Sequence, residues 1–358
     1  MNTGTHPLRK IRVLIVDDSL FMRAAIAKAL AAGPFEIVGQ AKDGNDAIAQ
    51  IGKLAPDVVT MDFNMPGMTG AETVRLVMQQ RPTPVVMFSA HTKQGAKETF
   101  DALAAGAVDF LTKPAGEVSV DLTRISEELT RKLIAAAQSR PRAANPPTRP
   151  SGSSGSFPAM RSMTSMAAAS SPGTLPRLCV IGISTGGPAA LTELVPGLVP
   201  DLRIAVVVVQ HMPAGFTGPF AERLDALSRI DVQEARAGDR PMPGSVLIAP
   251  GDRHLEFDDR GVVMLTDGPL VNGCRPAADV TMMSAARIYG RRALAVVMTG
   301  MGKDGAAGAL AIKRADGKTL AQDQATSVIY GMPKAAIDAG AIDEVAALGD
   351  IAAWLRYA

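Results

Sequence analysis

Five chemically able residues directly follow short apolar runs in the first third of the chain: Asp17 and Asp18, Asp62, Ser89 and Lys113, the last before Pro114. In an open parallel sheet such positions meet at the carboxyl ends of the strands, where ligands gather. Three carboxylates meeting there repel one another, and a hard divalent cation such as Mg²⁺ is the natural neutraliser. With the cation held, Asp62 keeps an oxygen free to attack a phosphoryl donor, while Lys113 and the Ser89 hydroxyl hold the transferred oxygens. Each residue alone reads equally well as a turn or helix-cap residue. The set, repeated on successive strands, points to chemistry.

A second constellation opens at Gly182-Ile183-Ser184-Thr185-Gly186-Gly187-Pro188. A serine at a strand-to-helix turn is exposed, and amides at the helix start face a developing oxyanion; a Gly/Ser phosphate-binding turn is the alternative. A serine nucleophile needs a base, usually histidine. Of four histidines, His6 lies in the N-terminal tail and His91 among the first constellation, leaving His211 and His254. His211 follows the apolar run 204–209 and projects from the same sheet edge as Ser184. His254 sits in a hairpin region and reads as a surface or pocket-lining residue. Asp304, in Thr299-Gly300-Met301-Gly302-Lys303-Asp304-Gly305 after the run 293–298, supplies the carboxylate that orients the imidazole. The order Ser, His, Asp differs from that of α/β-hydrolases, so convergent assembly is the reading. Gly300, Gly302 and Gly305, with Asp323 beyond, also spell a dinucleotide fingerprint. They lie on a late strand rather than in the first βαβ unit, and Asp304 would face the pyrophosphate.

The elements that must position these groups are legible as alternation. Apolar runs at 11–16, 35–39, 57–61, 84–88 and 108–111 alternate with five helical patterns, predicting a doubly wound, flavodoxin-like parallel sheet. Alternation resumes at 178–183, 204–209 and 293–298, predicting a second doubly wound, mostly parallel α/β sheet. Between them, 245–249, 254–257 and 262–265 read as antiparallel, with Asp259-Arg260-Gly261 as a hairpin turn. Residues 138–177 contain 7 Pro, 3 Gly, 9 Ser and 5 Arg without an acid, a composition that builds no core and reads as a semi-extended tether. The expected division is 1–137, the tether 138–177, and 178–358.

Composition narrows the function classes. Lys+Arg 37 against Asp+Glu 35 is too balanced for a chain that lives on phosphate backbones or anionic lipid. With 1 Trp, 3 Tyr and 10 Phe in 358 residues, base-stacking platforms are not expected either. Cys179 and Cys274 form no disulfide framework or metal spacing, so a reducing, cytoplasmic compartment is expected. The early apolar run 13–16 is too short for a signal sequence, and no run approaches a membrane span.

With Asp62-Phe63-Asn64-Met65-Pro66-Gly67 after its third strand, the stretch 10–135 resembles the response-regulator receiver domain. The resemblance implies Asp62 as the aspartyl-phosphate site, Asp17, Asp18, Asp62 and the Asn64 carbonyl as Mg²⁺ ligands, and Ser89 with Phe110 as a switch pair. The Ser184, His211 and Asp304 segments, with Asn272-Gly273-Cys274-Arg275-Pro276 and Tyr330-Gly331-Met332-Pro333, resemble the CheB methylesterases of chemotaxis over 178–350. That resemblance implies a serine esterase acting on methyl esters of receptor glutamates and a deamidase acting on the corresponding glutamines. Ser184 is then the nucleophile, His211 the base and later the acid, Asp304 its orienter, the Met301 N–H an oxyanion donor and Thr185 a pocket residue. Cys274 is expected to line the cleft without a base of its own.

Phosphorylation of Asp62 is expected to relieve inhibition by a receiver packed over the cleft. The implied partners are the cytoplasmic region of chemoreceptors as substrate and the histidine kinase CheA as phosphodonor; nucleic acid and membrane insertion are not expected. A monomer is expected, with Mg²⁺ at the receiver and no cofactor in the esterase site. The rival readings are a phosphorylation-controlled binding module without chemistry, a transcriptional regulator, and an amidase or peptidase sharing the triad.

Overall fold

The computed structural model describes residues 9–89, 92–113, 122–139 and 175–358. His6, His91 and most of the expected tether lie outside them. The first domain alternates strictly: β1 (Ile11–Val16), α1 (Leu20–Leu30), β2 (Phe35–Ala41), α2 (Gly44–Leu54), β3 (Val58–Asp62), α3 (Gly70–Gln80), β4 (Val85–Ser89), α4 (Lys93–Ala104), β5 (Asp109–Thr112) and α5 (Leu122–Gln138). The strands pair in parallel in the order β2-β1-β3-β4-β5, the flavodoxin-like order. Burial explains why the strands read as near-continuous apolar runs: every residue of β3 and β4 is buried.

The second domain runs β6 (Arg177–Ile183), α6 (Gly187–Leu194), β7 (Ile204–Gln210), α7 (Thr217–Leu227), β8 (Asp231–Glu234), β9 (Ser245–Ile248), β10 (His254–Phe257), β11 (Val263–Thr266), α8 (Ala278–Tyr289), β12 (Ala293–Val297), α9 (Ala306–Arg314), β13 (Lys318–Gln322), α10 (Gly331–Asp338), β14 (Glu344–Ala346) and α11 (Leu348–Tyr357). Seven strands form one parallel sheet in the order β14-β13-β12-β6-β7-β9-β8. The order reverses between β6 and β12, so the carboxyl ends of those two strands border the natural crevice.

One expectation is corrected here. The segment 245–249 is not antiparallel: β9 pairs in parallel with both β7 and β8, and only β10 and β11 form an antiparallel hairpin, as a separate two-stranded sheet. The physical reason is burial, since Val246, Leu247 and Ile248 are enclosed on both faces as in an interior parallel strand. No helix among the described residues is long and apolar enough to cross a membrane.

Candidate functional site

At the carboxyl edge of the first sheet, ligating oxygens of Asp17, Asp18 and Asp62 lie within 4.8 Å of one another. Ser19, not an aspartate, caps α1, and its own N–H donates to Asp17 Oδ1 at 2.9 Å. Lys113 Nζ reaches Asp17 Oδ2 at 3.0 Å and Asp62 Oδ1 at 2.8 Å, one cation against three carboxylates. Burial raises the Asp62 carboxyl above its ordinary value, with the Asp17 charge adding and the Lys113 contact opposing. Burial alone would lower Lys113; its bonds to Asp62 and Asp17 outweigh that and hold its ammonium above the usual range. This excess of buried negative charge on hard oxygen donors fits a divalent cation. Asn64 is exposed two residues beyond Asp62. Ser89 is buried, with its hydroxyl donating to the Gly95 carbonyl of α4 at 2.9 Å.

In the second sheet three neighbouring strand ends carry the other constellation. Ser184 leaves β6 with its N–H on the Thr299 carbonyl at 2.9 Å, and the His211 N–H, at the end of β7, bonds the Ile183 carbonyl at 3.1 Å. Gly300 permits the close approach of the third loop: a Cβ there would lie 2.8 Å from Ser184 Cβ and 2.2 Å from Met332 Sδ. His211 Nε2 bonds Asp304 Oδ2 at 2.7 Å, and Asp304 is 2% exposed. Burial alone would lower the imidazole, but the bonds and charges of Asp304 and Cys274 outweigh it and push it up to about 9. Burial would raise Asp304; the His211 bond and charge, with the Ala278 and Asp279 N–H groups, hold it below the ordinary carboxylate range. The Met301 N–H makes no hydrogen bond among the described residues, nor does the Ser184 hydroxyl.

His254 stands differently from expectation. His254 is buried rather than at the surface: its Nε2 bonds the Pro269 carbonyl at 2.9 Å and its Nδ1 accepts the Ala277 N–H at 3.2 Å, so both nitrogens serve the core. Cys274 sits beside the His211 imidazole and has no second base among the described residues. Its Sγ lies 3.4 Å from His211 Nδ1, the nitrogen that Asp304 leaves available. The glycine-rich loop after β12 turns Asp304 inward to His211, which removes the dinucleotide reading of Gly300, Gly302 and Gly305.

Several supporting residues carried no sequence signal. Gln210 Nε2 donates to the Ser184 and His211 carbonyls at 3.1 and 3.2 Å, bracing both turns. Thr299 Oγ1 donates to the Thr185 carbonyl at 2.9 Å, while its own N–H is held by Gln322 Oε1 at 2.9 Å. Thr185, buried beside Ser184, donates its hydroxyl to Asp109 of the first domain. Around that bond the domains pack through aromatic rings. Phe110 stacks on Phe216 at 4.8 Å between centroids and Phe100 on Phe220 at 5.0 Å, with Arg223 paired to Asp101 at 2.9 Å.

Both constellations match known families. The model of the CheB methylesterase family matches residues 179–355, and that of the response regulator receiver domain matches residues 13–122. The chain is 45% identical over 351 residues to a protein-glutamate methylesterase/protein-glutamine glutaminase of Symbiobacterium thermophilum, with 96% of each chain covered. The chain belongs to the CheB methylesterase family. Its similarity to the family extends to an enzyme of the same name from Pyrococcus abyssi, at 43% identity over 96% of this chain and 92% of that one. A second paralogue-numbered enzyme of that name from Pseudomonas aeruginosa is 44% identical, with 96% of each covered.

Proposed function

We propose that the chain hydrolyses the γ-methyl esters of glutamates on the cytoplasmic region of chemoreceptors, and deamidates specific receptor glutamines, under control of its own receiver domain. The observation that carries this reading is the 2.7 Å bond between His211 Nε2 and Asp304 Oδ2 beside the Ser184 turn. Asp304 holds the Nε2 proton, so Nδ1 is the nitrogen that takes the proton of Ser184 as its oxygen attacks the ester carbonyl. Asp304 stabilises the imidazolium that results, and the free Met301 N–H receives the oxyanion. His211 then returns the proton to the departing methoxide, releasing methanol. Water, deprotonated by the same imidazole, cleaves the acyl-serine to give glutamate. An amide substrate follows the same route with ammonia as leaving group.

In the resting arrangement Nδ1 faces Cys274 rather than Ser184, and the receiver covers the Ser184–Thr185 turn. Activation requires both contacts to give way. The trigger is phosphorylation of Asp62 by the histidine kinase CheA, with Asp17, Asp18, Asp62 and the Asn64 carbonyl holding Mg²⁺. The cation, when bound, neutralises the carboxylates so that a phosphodonor can approach. Lys113 holds the transferred oxygens, and the Ser89 hydroxyl exchanges the Gly95 carbonyl for the phosphoryl group, displacing α4. Phe110, on the next strand, moves with it and releases Phe216.

The domain assignment that accompanies this reading is a receiver over 1–137, a tether over 138–177 and the hydrolase over 178–358, working as a cytoplasmic monomer. Methanol release from membranes carrying methylated receptors, with and without a phosphodonor, tests it. Release stimulated by the phosphodonor and abolished in Ser184→Ala is expected; release that survives Ser184→Ala overturns it.

A further inference from the structure

Val271, Asn272, Gly273 and Cys274 form a tight turn in which Val271 and Cys274 exchange N–H to carbonyl bonds, of 3.1 and 2.9 Å. Asn272 and Gly273 both adopt positive φ, 52° and 76°, the backbone of a type I′ turn that asparagine and glycine favour. Local backbone preference thus accounts for an asparagine here. It does not account for where the side chain goes.

The Asn272 carboxamide donates to Asp304 Oδ1 at 3.1 Å and to Asp279 Oδ2 at 2.8 Å. Both carboxylates are buried, at 2% and 5% exposure. Backbone adds to these bonds: Asp304 Oδ2, which His211 contacts, accepts from Ala278 N–H at 2.6 Å, Asp304 Oδ1 also accepts from Asp279 N–H at 3.1 Å at the start of α8, and Asp279 Oδ1 accepts from Gly308 N–H at 2.7 Å. Two buried like charges therefore face one amide, and among the described residues Asn272 is the only side chain that donates to both. The same turn presents Cys274 to the far side of the His211 ring.

Resting on the hydrolytic reading above, we propose that Asn272 is a positioning residue of the reaction, its carboxamide bridging Asp279 and Asp304 so that the Asp304 carboxylate stays aimed at His211. Asp279 anchors the bridge to α8 and α9 and touches neither His211 nor Ser184. The role is distinct from turn formation, and glycine separates the two: Asn272→Gly keeps the positive-φ backbone while deleting the carboxamide.

The test compares the full-length parent, Asn272→Gly, Asn272→Asp and Ser184→Ala for methanol release from methylated receptor membranes, with phosphodonor, across pH. On the alkaline plateau, where His211 is unprotonated, kcat of Asn272→Gly is expected to fall roughly 10- to 100-fold while KM stays within about twofold. Asn272→Asp, which sets a third carboxylate in the cluster, falls further. Asp304 and Cys274 are the titratable groups on His211, and in Asn272→Gly a less well held Asp304 raises the imidazole less, so the acid limb of that variant moves to lower pH. A merely structural role would lower the melting temperature and leave the limb in place. Ser184-dependent release with kcat and acid limb of both Asn272 variants like those of the parent overturns the assignment alone. Release that survives Ser184→Ala removes the hydrolytic reading and this assignment with it.

Discussion

Thr185, the residue after Ser184, donates its hydroxyl to Asp109 Oδ2 at 2.8 Å, across the boundary between the two domains. Asp109 is itself fixed by Lys132 of α5 at 3.0 Å, and it opens the strand that carries Phe110. The first domain thus holds the turn after Ser184 through the Thr185 side chain.

Loosening that grip without touching either site is expected to switch the enzyme partly on. Phe100, 3% exposed on α4, stacks on Phe220 and meets Phe216 edge-on at 6.5 Å. Truncating a buried phenyl to a methyl costs about 3–5 kcal/mol of packing, part of it here interdomain. In Phe100→Ala, methanol release without phosphodonor should rise roughly tenfold, the factor that about 1.4 kcal/mol of bias produces, and further stimulation should shrink accordingly. An unchanged basal rate with full stimulation contradicts the covering role of this face.

Much of the site was legible because parallel strands write themselves as apolar runs and end abruptly in a polar residue. Asp17, Asp62, Ser184 and His211 each stand at such an end. The edge strands β8 and β14 were not legible, because they carry too little apolar and too much charged sequence, and neither was the interior strand β13, which begins at an exposed lysine. The partner of a short apolar run is not encoded in the run, which is why β9 read as antiparallel. Asn272 and Thr185 stand in legible motifs, but the contacts they make, like those of Gln210, left no trace because they join segments far apart in the chain.

Control by Asp62 has a simple signature. Asp62→Asn leaves Lys113 its Asp17 partner at 3.0 Å, so the fold should persist. Basal methanol release should stay near that of the parent while stimulation by a phosphodonor disappears. Chelating divalent cations should do the same to the parent, and stimulation that survives either treatment would contradict the assignment of Asp17, Asp18 and Asp62.

The resting imidazole at about 9 makes a signed prediction. Protonated His211 accepts no proton, so without phosphodonor the activity should fall as pH drops through about 9 rather than near the ordinary value of 6.5. For stability the sign is opposite: a raised pKa stabilises fully below 6.5 and is lost as pH rises through about 9. The melting-temperature gap between the parent and His211→Gln should therefore narrow from about pH 6 to about pH 10. An acid limb near 6.5, or a gap that widens, would contradict the His211–Asp304 coupling.

Ser184, and not the cysteine on the other ring nitrogen of His211, is expected to form the covalent intermediate. Acid-quenching the phosphodonor-activated enzyme during turnover of methylated receptor, followed by peptide mass spectrometry, tests it most directly. A glutamyl acyl group on Ser184 in the parent, missing in Ser184→Ala and preserved in Cys274→Ala, is the expected result. Acylation of Cys274, or methanol release with Ser184 never acylated, would contradict it.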